Sequence, residues 1–246
     1  MTHGLRVKVF ADGADLASIA ELARHPLIQG FTTNPTLMRK ANVRDYREFA
    51  HDVLRLIGDR PVSFEVFSDD FPEMELQALE IASWGENVYV KIPMTNTQGE
   101  SSGPLITRLC AAGVKVNVTA LMTVRQVEEV ARCLAARTPA CVSVFAGRIA
   151  DTGRDPVPLM QEAARALKPL PQAELIWASP RELLNIMQAD AIGCHIITAT
   201  SDILAKLALI GKDLDLFSLE TVRMFRQDAV RAGYTIELSP AVSSRQ

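Results

Sequence analysis

A (β/α)8 barrel followed by one extra C-terminal helix is the fold this sequence predicts, and three observations predict it. Eight short β-rich runs alternate with segments of helical spacing along one chain of 246 residues. Gly58, Gly85, Gly113 and Gly193 stand where helix C-caps belong, just before a strand begins. No Gly-rich nucleotide loop of the GxGxxG or GxxxxGKS/T type opens any unit, which argues against an open doubly wound sheet.

The units follow in order. KVFAD (8–12) leads into ADLASIAELARH, and GFTTN (30–34) ends at Asn34 before Pro35, a turn and helix-start signal ahead of RDYREFAHDVLRLIG. VSFEVF (62–67) precedes FPEMELQALEIASWG, NVYVKIP (87–93) precedes SGPLITRLCAAG, and VKVNVTAL (114–121) precedes TVRQVEEVARCLAAR. CVSVFAG (141–147) is followed by VPLMQEAARALKP. AELIWAS (173–179) is followed by SPRELLNIMQADAIG, where Ser179, Pro180 and Glu182 read as N-cap, N1 and N3 of a capping box. CHIITAT (194–200) is the eighth strand and SDILAKLALIG the last barrel helix. The barrel is expected over about 8–212 and the extra helix over about 215–233, in a single domain spanning 1–246.

Composition narrows function by exclusion. A hydrophobic fraction of 48% is ample for a core, and a formal net charge of −3 carries no footprint for nucleic acid or an anionic membrane. MTHGLRVKVFADG lacks the apolar stretch of a secretory signal and no apolar run is long enough to span a bilayer, so a soluble, cytoplasmic protein is expected. Cys110, Cys133, Cys141 and Cys194 form no CxxC, and His3, His25, His51 and His195 are scattered; no metal site is expected. Small molecules are the default partners.

Strand parity locates the chemistry. In a parallel barrel alternate residues face the helices and the axis, and catalytic groups sit at the strands' C-terminal ends. Val88, Val90 and Ile92 take the helix-facing side, which turns Lys91 toward the axis. The same reading puts Val7, Val9 and Ala11 outward and Asp12 inward, and Phe64 and Val66 outward and Glu65 inward. It puts Val116, Val118 and Ala120 outward against Asn117 and Thr119, and Val142, Val144 and Ala146 outward against Ser143 and Phe145. Asn34, with Thr32 below it, is placed axial, as is Ser179 on the parity of Leu175 and Trp177. Lys8 and Lys115 share the axial parity nearer the strand starts, where a structural ion pair in the barrel floor is expected. Thr198 and Thr200 read as filler near the mouth.

One amine among two carboxylates and several neutral hydrogen-bonding groups suggests imine chemistry. An amine in a partly dry barrel mouth is penalised for its charge, so a neutral, nucleophilic fraction is available to attack a ketone. Glu65 and Thr119 can shuttle protons through a water, and Asp12 is the candidate base for the hydroxyl next to the bond to be broken. Asn34, Asn117 and Ser143 can hold substrate hydroxyls. Arg148 beyond strand six and Arg181 beyond strand seven point to the same mouth, where barrels bind phosphate at a helix N-terminus. Taken alone, Lys91 reads more readily as a strand-end lysine reaching solvent; the company of Glu65, Asn117 and Thr119 on adjacent strands reverses that reading.

FTTNPTLM, VKIPMT, NVTALMT, SVFAGRIADTG and WASPRE, in this order across roughly residues 8–235, resemble the transaldolases, including their small bacterial relatives and the fructose-6-phosphate aldolases. The resemblance implies a Schiff-base lysine at Lys91, proton transfer by Asp12, site residues Asn34, Glu65, Asn117, Thr119 and Ser143, and phosphate binding by Arg148, Ser179 and Arg181. It implies no metal or organic cofactor. Glu65 and Phe145 stand where the fructose-6-phosphate aldolases tend to carry glutamine and tyrosine, which favours group transfer. The expected activity is transfer of a dihydroxyacetone unit from a ketose phosphate to an aldose phosphate. The alternatives are an aldolase of the fructose-6-phosphate type and an inactive sugar-phosphate-binding barrel. A homo-oligomer is expected, with the C-terminal helix, and Phe225 in it, bordering the pocket or reaching a neighbour.

Overall fold

The computed structural model describes residues 4–237, and the histidine at position 3 lies outside them. In chain order the elements are β1 (Lys8–Asp12), α1 (Leu16–Leu22), β2 (Ile28–Thr32), α2 (Pro35–Lys40), α3 (Tyr46–Ile57), β3 (Val62–Glu65), α4 (Phe71–Ala82), β4 (Val88–Pro93) and α5 (Gly103–Ala111). They continue with β5 (Val116–Leu121), α6 (Val124–Cys133), β6 (Ala140–Val144), α7 (Ala146–Ala150), α8 (Pro156–Leu167), β7 (Ala173–Trp177), α9 (Leu184–Ala191), β8 (Ile196–Ala199), α10 (Ser201–Leu204), a 3-10 turn (Ala205–Leu209) and α11 (Leu214–Arg231). The strands close in sequence order, every neighbouring pair parallel, with β1 also pairing β8. This is the predicted (β/α)8 barrel with its extra helix.

The alternation of strand residues explains the closure. Val88, Val90, Ile92, Val116, Val118, Val142 and Val144 are buried on the helix-facing side, each contributing roughly 1.5–3 kcal/mol. On the axial side Phe10, Cys141, Ile176, Ala178 and Ile196 cluster, with Tyr89 and Phe145 packed against them. Gly30 is required there, because a Cβ would sit 2.4 Å from the Phe10 ring. In the floor Lys8 pairs with Glu174 at 2.7 Å, the structural ion pair expected of it. Lys115 instead donates to the Glu86 carbonyl at 2.5 Å and lies over the Tyr89 ring.

Several local expectations are corrected. FAG is not part of the sixth strand: β6 stops at Val144 and Phe145 caps the short helix α7. Gly58, Gly113 and Gly193 take the left-handed φ of C-cap glycines, but Gly85 does not. His195 precedes β8 rather than lying within it, and its Nδ1 accepts from the Leu175 N–H at 3.0 Å.

Residues up to Leu207 form one compact unit, the barrel, and those from Ala208 form a second. Within the second, Asp213 caps α11 by accepting from the Leu216 N–H, and Lys212 pairs with Glu220. No residue of α11 is buried, and Phe225 is exposed.

Candidate active site

The C-terminal ends of the strands surround a cavity of about 560 Å3. Lys91 reaches it from β4; the residue is only 6% exposed, and its Nζ donates to the Thr33 carbonyl at 2.6 Å. Across the β3–β4 ladder its register partner is Glu65, and across β4–β5 it is Asn117.

Asp12 ends β1. Its carboxylate accepts from the Thr32 hydroxyl at 2.7 Å and from the Asn34 amide at 3.4 Å. Asn34 can aim there because its own Oδ1 caps α2, accepting from the Leu37 N–H at 3.0 Å, so the local cap turns the amide NH2 toward Asp12. The cap role and the site role coexist in one side chain. Burial pushes the Asp12 carboxyl above the usual carboxylate range, against the nearby Lys91 charge and the bonds from Thr32 and Asn34. Burial also raises Glu65; Lys91 opposes the rise and Asp12 adds to it.

Thr119 and Ser143 line the same cavity. Asn117 does not: it lies fully buried beneath, where its Oδ1 accepts from Ser143 Oγ at 2.7 Å and its NH2 donates to Ser63 Oγ at 2.9 Å. This chain fixes the Ser143 hydroxyl, and Asn117 reaches the cavity only through it. Ala120 is the clear correction to the strand parity. Its φ of +64° falls where the β5–β6 register is interrupted, and the residue is exposed and lines the cavity rather than being buried under the helices. Left-handed backbone at a residue bearing a Cβ costs on the order of 1–3 kcal/mol and is concentrated at functional sites.

Phe145, Arg148, Ser179 and Arg181 form the far wall. The Arg148 guanidinium lies over the Phe145 ring at 5.8 Å. Ser179 is in the mouth for a different reason than its parity. Leu175 and Trp177 are fully buried, whereas Glu174, Ile176 and Ala178 take the axial side; Ser179 turns inward through a φ of +59°. The expected capping box is absent. The helix after β7 starts at Leu184, and the Asn185 side chain accepts from the N–H groups of Arg181 at 2.7 Å and Glu182 at 3.2 Å. The phosphate-binding potential of this corner therefore rests on side chains. Arg181 donates to Ser179 Oγ at 3.0 Å and twice to Asp151, at 2.9 and 2.5 Å. Those bonds hold the Asp151 carboxyl below its usual range.

Sequence reasoning missed four contributors. Thr198, read as filler, lines the cavity and shares a 2.5 Å hydrogen bond with Thr32, extending the chain to Asp12. Lys40 adds a cation to the rim from the end of α2. Asp151 and the Thr33 carbonyl hold Arg181 and Lys91. The axial parity of Thr198 was a usable signal; the other three carry none. Among the described residues no cluster of three His, Cys, Asp or Glu side chains could hold a metal ion, and no helix is long and apolar enough to cross a membrane.

Comparison with known proteins gives one consistent pattern. The family model described as Transaldolase/Fructose-6-phosphate aldolase matches residues 9–238. A "Probable transaldolase" of Streptococcus agalactiae serotype V is 35% identical over 215 residues, covering 86% of this chain and 95% of that protein. One from Thermoanaerobacter sp. (strain X514) is 34% identical over 232 residues, covering 94% of this chain and all (100%) of that protein. A solved structure from Burkholderia cenocepacia J2315 superposes with a TM-score of 0.58 at 12% identity, covering 99% of this chain and 91% of its own; that likeness concerns the fold alone.

Proposed function

The chain belongs to the transaldolase and fructose-6-phosphate aldolase family, and from that premise we propose that it transfers a dihydroxyacetone unit between sugar phosphates through a Schiff base on Lys91. The observation that carries this reading is the buried amine of Lys91 facing one cavity with two carboxyls, Asp12 and Glu65, both raised by burial.

The neutral amine adds to the C2 ketone of fructose 6-phosphate or a similar ketose. Glu65, through a water held with Thr119, protonates the departing hydroxyl so that water leaves and an iminium forms. A carboxyl raised by burial suits this task, since it holds its proton further toward neutral pH than a solvated one. Asp12 then takes the proton of the C4 hydroxyl. The C3–C4 bond breaks, its electron pair moves into the iminium to give an enamine, and the aldose phosphate departs. An acceptor aldehyde enters, C3 attacks its carbonyl carbon, and Asp12 returns the proton to the new alkoxide. Water hydrolyses the iminium and frees Lys91.

Asn34 and Ser143, the latter oriented by Asn117, bind the hydroxyls of the retained unit. Arg148, with Ser179 and Arg181, binds the phosphate of donor and acceptor in turn. Phe145 offers no proton to the enamine carbon, which favours retention until an acceptor arrives. Assembly as a homo-oligomer and a cytoplasmic location belong to the same proposal. Borohydride reduction in the presence of fructose 6-phosphate is expected to leave a three-carbon adduct on Lys91 that is lost in Lys91→Ala. An unmodified wild-type chain sinks the proposal. Product analysis with and without erythrose 4-phosphate separates transfer from simple release.

A further inference from the structure

The end of β3 departs from the ladder that pairs it with β2. The Thr33 N–H donates to the Ser63 carbonyl at 3.2 Å. One step on, the regular parallel pattern would have the Glu65 N–H donate to the Thr33 carbonyl and the N–H of residue 35 donate to the Glu65 carbonyl. The chain is built otherwise. Residue 35 is Pro35, which has no N–H, and the Thr33 carbonyl is taken by Lys91 Nζ at 2.6 Å. Both orphaned groups of Glu65 meet a single side chain. The Tyr46 hydroxyl accepts from the Glu65 N–H at 2.7 Å and donates to the Glu65 carbonyl at 3.0 Å.

Tyr46 is held for this task. It opens α3, whose N-cap Asp45 accepts from the Glu48 N–H at 2.9 Å. Its ring stands edge-on to Phe64 at 6.1 Å and Trp84 at 5.3 Å and packs on Phe67 at 4.7 Å. Burial keeps the phenol protonated, so one oxygen can serve as acceptor and donor together.

Building on the Schiff-base reading above, we propose that Tyr46 is a positioning residue for both Glu65 and Lys91. By satisfying the two backbone groups of Glu65 it fixes the end of β3 from which that carboxyl projects. It also leaves the Thr33 carbonyl to the Lys91 amine instead of to the ladder. Without the hydroxyl, the Glu65 N–H must turn to the Thr33 carbonyl and compete with Lys91, so both groups move.

The test compares wild type with Tyr46→Phe, Glu65→Gln, the double variant and Phe67→Leu. The readouts are the rate of borohydride-trappable imine formation with fructose 6-phosphate, the pH profile of kcat/KM, the thermal midpoint, and amide exchange at Glu65 in the wild type. Tyr46→Phe is expected to slow imine formation roughly 10–100-fold with a smaller change in KM, and to cost less in the Glu65→Gln background, where only the part that acts through Lys91 remains. Phe67→Leu, which loosens the same aromatic cluster but keeps the hydroxyl, is expected to lower the midpoint and spare the rate. A Tyr46→Phe enzyme that forms the imine at the wild-type rate overturns the proposal, as does a rate loss matched by Phe67→Leu. A fast-exchanging Glu65 amide in the wild type does so with no variant at all. Absence of any imine in the wild type refutes the Schiff-base reading instead.

Discussion

Replacing Gly147 by alanine puts the strongest demand on the far wall of the cavity. A Cβ at this position would lie 1.5 Å from the Ser179 carbonyl oxygen and 2.7 Å from its carbon. Cβ atoms in proteins essentially never approach a heavy atom closer than 3.0 Å, so the two backbones must part by about 1.5 Å before even that limit is met. Neither obstacle is the flexible end of a side chain. Overpacking of this kind costs about 1–3 kcal/mol or more, and a lower thermal midpoint is expected. The functional effect is larger and more specific, because the displaced segments carry Arg148 on one side and Ser179 with Arg181 on the other. A misplacement of this size costs on the order of 10²-fold in rate when it falls on groups that position substrate. The assay pairs two substrates. With fructose 6-phosphate, kcat/KM is expected to fall roughly 100-fold, mainly through KM. With unphosphorylated dihydroxyacetone, borohydride trapping on Lys91, which stands on β4, is expected to stay near wild type. A Gly147→Ala protein with unchanged KM for the phosphorylated ketose, or an equal loss with both ligands, would refute the assignment of this wall to phosphate.

Two further outcomes concern Asp12. Its folded-state pKa is raised, so between the ordinary carboxylate range and that higher value the native protein holds a proton the unfolded chain has released; stability therefore falls as pH rises through this window. Asp12→Asn is expected to raise the thermal midpoint at neutral pH and flatten that dependence, while lowering C–C cleavage roughly 10²–10⁴-fold; a lower midpoint at neutral pH contradicts the sign. Thr32→Val removes a hydrogen bond that favours the ionised carboxyl, so the acid limb of the kcat/KM profile should move to higher pH with a several-fold loss at neutral pH. A limb that stays in place would show that Thr32 does not tune this group.

The inward direction of Lys91, Glu65, Asn117 and Ser143 was legible because side-chain alternation is a property of each strand by itself. The same rule failed at Ala120 and Ser179, where single left-handed residues break the period and nothing in the local composition announces them. The capping box at Ser179 was a sound local pattern that lost to Asn185, whose side chain satisfies the same N–H groups from the first turn of the helix. Thr198 could be placed on the right face, yet its value depends on Thr32, which lies 166 positions away.

The sequence by itself determined the eight strand–helix units, the amine and carboxyls turned to the barrel axis, and the family to which the chain belongs. Those follow from short-range periodicity and ordered motifs. Only the closed barrel decided what restrains these groups: the Thr33 carbonyl on Lys91, the Tyr46 hydroxyl on Glu65, the Thr198–Thr32 chain on Asp12 and the Asp151 carboxylate on Arg181. Each of those partners comes from another strand–helix unit of the ring, and pairing β1 with β8 is what brings the ends of the chain's pattern side by side. A hydrogen bond selects by distance and angle in space, which no spacing along the chain encodes.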